Sequence, residues 1–451
     1  LISKSDIFFY DHTANRFIVK ESFPMLENPV DLSPLRNQFP ALQETDEKGR
    51  PYVYLDGPGG TQVPQTVIDA MADYFRLANA NHGGHFITSH RNDEMIEQTR
   101  AAMADFLNAP SPREIVFGAN MTTLTFSMSR AIGRLLEPDD EIVVTRLDHD
   151  ANIAPWVALE ERGVRIKWVD FNVGDCRLNL EQLASLLTDR TRLVAVGYAS
   201  NAVGTINPID RIADLVHRAG AWLWVDAVHY APHGPIDVQA AGCDFLVCSI
   251  YKLFGPHVGV LWGRLDLLER LTAYKVRPSN PNPPNNFETG TLNHEGLAGV
   301  LAAVNYLAGV GREYGADPVM TDRTRSGHYE GRRKELKQAM NTICAYERPL
   351  FMYMLEEVQK IPGITVYGII DPEELGERCP TLTFTREGFT PKAIATYLGD
   401  KGIFVWDGNY YAVSVTERLG LEGSGGMVRI GLVHYNTREE IDRLLTALRE
   451  M

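Results

Sequence analysis

Residues 221–256 read AWLWVDAVHYAPHGPIDVQAAGCDFLVCSIYKLFGP, and their reading decides the fold. Two apolar runs, WLWV and FLVCSI, each lead into a charged residue: Asp226 after the first, and Lys252, 26 positions further on, after the second. The runs are apolar at consecutive positions rather than at alternate ones. That pattern marks strands buried on both faces, as in a parallel sheet covered by helices on each side. Further runs of the same kind flank the stretch: EIVFGAN (114–120), EIVVTRL (141–147), RIKWVDF (165–171) and RLVAVGYAS (192–200) before it, and GVLWGR (259–264) after it. Helical segments alternate with them. In RNDEMIEQTRAAMADFLNA (91–109), Met95, Ile96, Thr99, Ala102, Met103, Phe106 and Leu107 recur at helical spacing. PIDRIADLVHRAG (208–220) is a second such segment. The expectation is an α/β fold with a mostly parallel, doubly wound sheet, whose ligands sit at the carboxyl ends of its strands.

The texture changes after about residue 275. VRPSNPNPPNN (276–286) is too rich in Pro and Asn for regular structure. A polar helix is expected over 317–347, followed by strands in TLTFT (381–385), IFVWDG (403–408), YYAVSV (410–415) and MVRIGLV (427–433). TREEIDRLLTALREM (437–451) reads as a closing amphipathic helix with a Thr cap and two glutamates in its first turn. The organisation expected is an N-terminal extension and arm (1–45), a large α/β domain (46–310) and a smaller α+β domain (311–451).

Among 451 residues the net charge is −14, and no dense Lys/Arg cluster interrupts the acidic balance, which argues against a nucleic-acid partner. No apolar run reaches bilayer length, so no membrane span is expected. The opening LISKSDIFFYDHTANRF lacks the basic-then-apolar pattern of a signal peptide. The five cysteines (Cys176, Cys243, Cys248, Cys344 and Cys379) contain no CxxC pair and are odd in number. Scattered free thiols and a cytoplasmic location follow, with no metal site.

Strand ends hold the candidate chemistry. Asp226 and Lys252 could form a structural ion pair, although desolvation commonly offsets the attraction in buried pairs. Burial also lowers a lysine's pKa and makes it a Schiff-base nucleophile. In VFGANMTTLTF (116–126) a turn leads into a helix at Met121 and Thr122, whose start suits a phosphate although the Walker pattern is missing. His149 in VTRLDHDANIAPW and Asn201 in GYASNAVGTINPI lie at two further strand ends. The His149 ring could stack on an aromatic cofactor, and Asn201 could hydrogen-bond a ligand or form a turn. A lysine, a carboxylate, a helix start and a ring together describe a site for pyridoxal 5′-phosphate.

These motifs resemble those of the class V aminotransferases and, within them, the cysteine desulfurase-like branch. DHDANIAPW is similar to the family's acidic-His-x-x-Asn segment, SNAVGTINPI to its Asn-x-x-Gly-Thr turn and SIYKLFGPHVGVLWGR to its lysine signature. The similarity runs from about residue 35 to the end and implies pyridoxal-phosphate fold type I. It implies Lys252 as the Schiff-base lysine, Asp226 as the partner of the pyridine nitrogen and His149 as the stacking ring. Asn201 and His229 would lie near the phenolic oxygen, and Asn120, Met121, Thr122 and Ser249 would hold the phosphate. Thr291, in FETGTLN, would reach the phosphate of a second subunit, making a homodimer with shared sites, and Arg429 would bind the carboxylate of an amino-acid substrate. The sequence departs from the family at His229, where Gln is usual, at Tyr251, where His is common, and at Asn-Met-Thr in the phosphate turn. The stretch expected to carry a desulfurase's nucleophilic Cys reads FVWDGNYYAVSV, without a thiol, and Cys379 is expected to be structural. The resemblance implies desulfurase-like or transaminase activity without a cysteine persulfide relay; the alternatives are an isopenicillin N epimerase-like enzyme and an inactive cofactor-binding scaffold.

Overall fold

The computed structural model describes residues 8–11, 16–19, 30–315 and 329–451. Residues 1–7, 12–15 and 20–29 of the expected N-terminal arm and residues 317–328 of the expected polar helix lie outside them.

Seven strands form the main sheet: β1 (Ile115–Gly118), β2 (Glu141–Thr145), β3 (Arg165–Val169), β4 (Thr191–Gly197), β5 (Trp222–Asp226), β6 (Phe245–Ser249) and β7 (Gly259–Gly263). Their order across the sheet is β1-β7-β6-β5-β4-β2-β3. Neighbours from β6 to β3 are parallel, while β7 runs antiparallel to both β6 and β1. Both faces are covered, as the uninterrupted apolar runs require. Leu223 and Val225 of β5 face one hydrophobic cluster and Trp224 faces the other; Leu246 and Cys248 of β6 likewise oppose Phe245 and Val247. The period of two along each strand thus feeds two cores at once.

The carboxyl ends of β1, β2, β4, β5 and β6 share one edge of the sheet, and the amino end of the reversed β7 meets them there. Gly259 at that end pairs with Ser249 on one side and Gly118 on the other. A Cβ on Gly259 would lie 2.4–2.7 Å from the backbone of Asn120, so only glycine lets the turn after β1 close over β7. A second tie is ionic. The guanidinium of buried Arg100 holds Glu288 at 2.6 and 2.9 Å and donates to the Ile115 carbonyl, while Glu288 accepts the Phe117 N–H. This pins the irregular chain after residue 275 to β1.

A second, antiparallel sheet contains β8 (Ile364–Tyr367), β9 (Thr381–Arg386), β10 (Trp406–Gly408) and β11 (Met427–Gly431), in the order β8-β9-β11-β10. Val53–Tyr54 pairs in parallel with Ile403–Phe404, and Val53 and Leu55 join the core under this layer. YYAVSV is not a strand: Tyr410 and Tyr411 form a turn with φ of 56° and 59°, and Val413–Arg418 is a short helix. The alternation of aromatic and β-branched residues suggested a strand, but the side-chain hydrogen bonds and ring contacts at this turn outweigh that preference. The helix expected from 317 is described over Gly331–Gln359 and runs through Pro349. The closing helix, Arg438–Glu450, carries the full capping box, with Thr437 and Glu440 exchanging bonds.

Candidate functional site

Each strand end delivers one side chain to a common cleft, beginning with β6. The strand stops at Ser249, and a single 3-10 turn, Ile250–Lys252, aims Lys252 back over the sheet edge. Thr61 braces this turn: its N–H and hydroxyl donate to the Tyr251 carbonyl, and its oxygen accepts the Phe254 N–H. The Tyr251 ring stacks on His257 at 5.0 Å and 8°. Lys252 is 6% exposed, and burial lowers its pKa from 10.5 to about 7, with the positive charge of Arg429 adding to the effect and Asp226 opposing it.

Asp226, at the end of β5, is equally enclosed. Burial raises its pKa to about 6 against the pull of the Val228 N–H and of Lys252. For both groups burial outweighs their mutual attraction. After β2 come Asp148 and His149. The Asp148 carboxylate accepts from the Thr145 hydroxyl, the Asn152 amide and the Gly197 N–H, yet burial still raises it to about 7. These bonds fix the turn that presents His149. The ring is held neutral, its pKa lowered to about 3 by burial and then by Lys252 and Arg429. On its outer side it stacks on Tyr411 at 5.6 Å and 25°.

After β1, Asn120 caps the helix Met121–Gly133 by accepting the Thr123 N–H, and the Met121 N–H donates to the Ser249 hydroxyl at 3.1 Å. Thr122 stands exposed at the helix start, where the N-terminal N–H groups and the helix dipole favour an anion. Asn201, beyond β4, donates its side-chain amide to the Tyr410 carbonyl, and its backbone carbonyl accepts from Arg429 at 2.7 Å. His229, buried beside the Asp226 turn, meets the Thr381 hydroxyl at 3.0 Å, and burial holds its pKa well below the usual value.

Asn120, Met121, Thr122, His149, Asn201, Asp226, His229, Ser249 and Lys252 line a single cavity of about 620 Å³. Arg429 joins them from β11 through an outer cavity of about 970 Å³ that shares Thr122, His149, Asn201, Tyr251 and Lys252. Its guanidinium lies 4.2 Å from the Tyr410 ring centroid, and burial lowers its pKa to about 10. Thr291 is not with this group: it lines a separate cavity with Asn81, His82 and Lys275.

Four contributors were not singled out from the sequence. Asp148 immediately precedes His149, and Asp56, in LDGPGG (55–60), is raised to about 6 by burial and feels the charge of Arg429. Tyr410 and Tyr411 have a strand-like composition but form a turn. Their left-handed conformations cost about 1–2 kcal/mol per residue. The turn persists because the Asp150 N–H donates to Tyr411, Asn201 to Tyr410, and the Tyr410 hydroxyl to the Met427 carbonyl.

The profile for class V aminotransferases matches residues 53–317 and 335–444. The chain belongs to the class V aminotransferase family. Members of this family depend on pyridoxal phosphate, and the seven-stranded sheet with its smaller antiparallel sheet is that family's fold type I. The chain is 33% identical over 437 residues to a cysteine desulfurase of Synechococcus elongatus, covering 93% of this chain and 64% of that protein. It is 32% identical over 434 residues to a cysteine desulfurase of Pectobacterium atrosepticum, covering 92% and 97%. The structure of the cysteine desulfurase CsdA of Escherichia coli superposes with a TM-score of 0.77 at 26% identity, over 94% of this chain and 98% of that one. The chain therefore spans just under two thirds of the Synechococcus relative and nearly the whole of the other two.

Among the described residues, no thiol lines either of the two cavities. Cys176, Cys243, Cys248 and Cys379 are buried and Cys344 is partly so. Burial raises the Cys176 thiol to about 11 and Cys248 to about 12, the opposite of what a nucleophile needs.

Proposed function

We propose that the protein is a pyridoxal-phosphate enzyme that binds an α-amino acid, with Lys252 as the residue joined to the cofactor. The supporting observation is Lys252 itself, an amine half neutral near pH 7 at the carboxyl edge of a parallel sheet, facing Asp226 and His149. The donor set fits the cofactor. The helix start with Thr122 and Ser249 would hold its phosphate, Asp226 its ring nitrogen, and His149 one face of its ring, with Asn201 and His229 near its phenolic oxygen. Two unpaired groups in the same walls, the Asn201 side-chain oxygen Oδ1 and the Arg429 Nε, await polar partners. When bound, the cofactor supplies an electron sink for charge developing at the substrate Cα.

The protein's own groups divide the remaining work. Arg429 binds the substrate carboxylate, and its contact with the Asn201 carbonyl fixes the direction of its fork. Lys252 Nζ, in its neutral form, accepts the Cα proton as general base. The Tyr410–Tyr411 turn shields the cleft from water on its outer side. We also propose a large unit over 46–310, a small one over 311–451, a cytoplasmic location and a homodimer in which Thr291 reaches the partner's site. Exposed Phe75, Leu77, Phe86, Ile87, Tyr274 and Val276 support a buried interface.

The absence of a thiol in the cleft favours turnover without a protein persulfide. Incubation with a panel of amino acids, scoring keto acid, inverted amino acid and sulfide separately, distinguishes transamination, epimerisation and desulfuration. Cys379→Ser should leave every observed activity intact. Loss of sulfide release in that variant would contradict the relay-free reading, and inertness toward all amino acids with cofactor bound would favour a scaffold.

A further inference from the structure

The outer cavity is far larger than a thiol side chain fills, and its walls are chemically polarised. Its inner end holds two almost fully buried basic side chains, Lys252 and Arg429. Its outer end holds the carboxyl-bearing residues Asp150, Asp407 and Glu422 and two exposed rings, Tyr411 and Trp406. Among the described residues no ion pair engages any of these three acids, and the nearby Arg418 is bound to Asp170. Glu422 accepts only from the neutral donors Asn409 and Thr416.

A second observation points to a ligand. The Arg429 Nε and the Asn201 Oδ1 are buried without a partner, on side chains no more than 5% exposed, in the wall of this same cavity. Leaving such groups unpaired is costly unless a bound molecule engages them. Trp406 lies directly across from Arg429 in the β10–β11 register, so both side chains share a face of the small sheet. A carboxylate seated on Arg429 therefore sends its side chain past Trp406 toward the acidic rim.

We infer that the substrate is an α-amino acid with a long cationic side chain, ending in an ammonium or guanidinium held by the rim of Asp150, Asp407 and Glu422. Tyr411 and Trp406 supply ring faces on which such a cation also packs favourably. The rim is partly exposed, so the selectivity is electrostatic and falls with salt. This inference rests on the proposed placement of the substrate carboxylate at Arg429.

Arginine and citrulline test it, being nearly equal in shape and different in charge. Calorimetric titration of the cofactor-loaded enzyme at low ionic strength should give arginine a dissociation constant about tenfold lower than that of citrulline. The preference should fall toward unity in Asp150→Asn/Glu422→Gln, with its fold checked by circular dichroism, and should shrink as salt is added. Equal binding of the two ligands, or a preference unchanged in the double variant, would overturn the inference. The same titration on cofactor-free protein, with mass analysis of the borohydride-reduced sample, keeps the two levels apart. A persistent arginine preference without a Lys252 adduct supports the rim and refutes the cofactor reading; an adduct without the preference does the reverse.

Discussion

Lys252 should capture pyridoxal phosphate with a pH midpoint near 7. Only the neutral amine attacks an aldehyde, and a lysine at its usual 10.5 is neutral at pH 7 in about 1 molecule in 3,000. With the pKa lowered to about 7, about half the protein is reactive at that pH, a gain of roughly a thousandfold in the reactive fraction. The causes order the variants. Burial is the largest contribution, Arg429 lowers the pKa further, and Asp226 raises it. Arg429→Gln should therefore move the midpoint up and Asp226→Asn should move it down, each by less than the total displacement from 10.5. The sign for stability follows from the same numbers. Between the folded pKa and 10.5 the unfolded chain binds more protons, so the cofactor-free protein gains stability from Lys252 as pH rises through that window, and a charged Lys252 weakens it below pH 7. The assay is stopped-flow growth of the yellow absorbance when cofactor-free protein meets pyridoxal phosphate, repeated from pH 5.5 to 10 on the order of half-unit steps. A midpoint above about 9 in the wild type, or both variants shifting it in the same direction, would refute the reasoning.

Two further tests address the frame that holds the site. Gly259→Ala should displace the Asn120 turn and weaken cofactor binding at least about tenfold, measured by equilibrium dialysis, while the far-ultraviolet spectrum stays unchanged. Arg100→Met should cost about 3–5 kcal/mol in denaturant unfolding, because it leaves the Glu288 carboxylate buried without its cation; Arg100→Met/Glu288→Gln should recover much of that loss.

Much of the main sheet was legible because its strands are buried on both faces. Runs such as WLWV and FLVCS admit few other readings when helices separate them. The antiparallel insertion of β7 was not, since a doubly apolar strand carries no mark of its direction. The cleft residues at strand ends were legible because the sheet's carboxyl edge gathers them whatever lies between. The outer wall was harder to read. Tyr410 and Tyr411 have the composition of a strand, and what turns them is the hydrogen bond from Asp150, some 260 residues earlier, together with that from Asn201. Asp148 was hidden differently. Its three hydrogen bonds resemble those of any satisfied buried carboxylate, and only the depth of its burial reveals that it anchors the His149 turn.

Borohydride reduction of the yellow protein, followed by proteolysis and mass mapping of the cofactor adduct, tests the central claim most directly. The account predicts a single modified residue, Lys252, and no yellow colour in Lys252→Ala. An adduct on any other lysine, or covalent colour surviving in that variant, would contradict it.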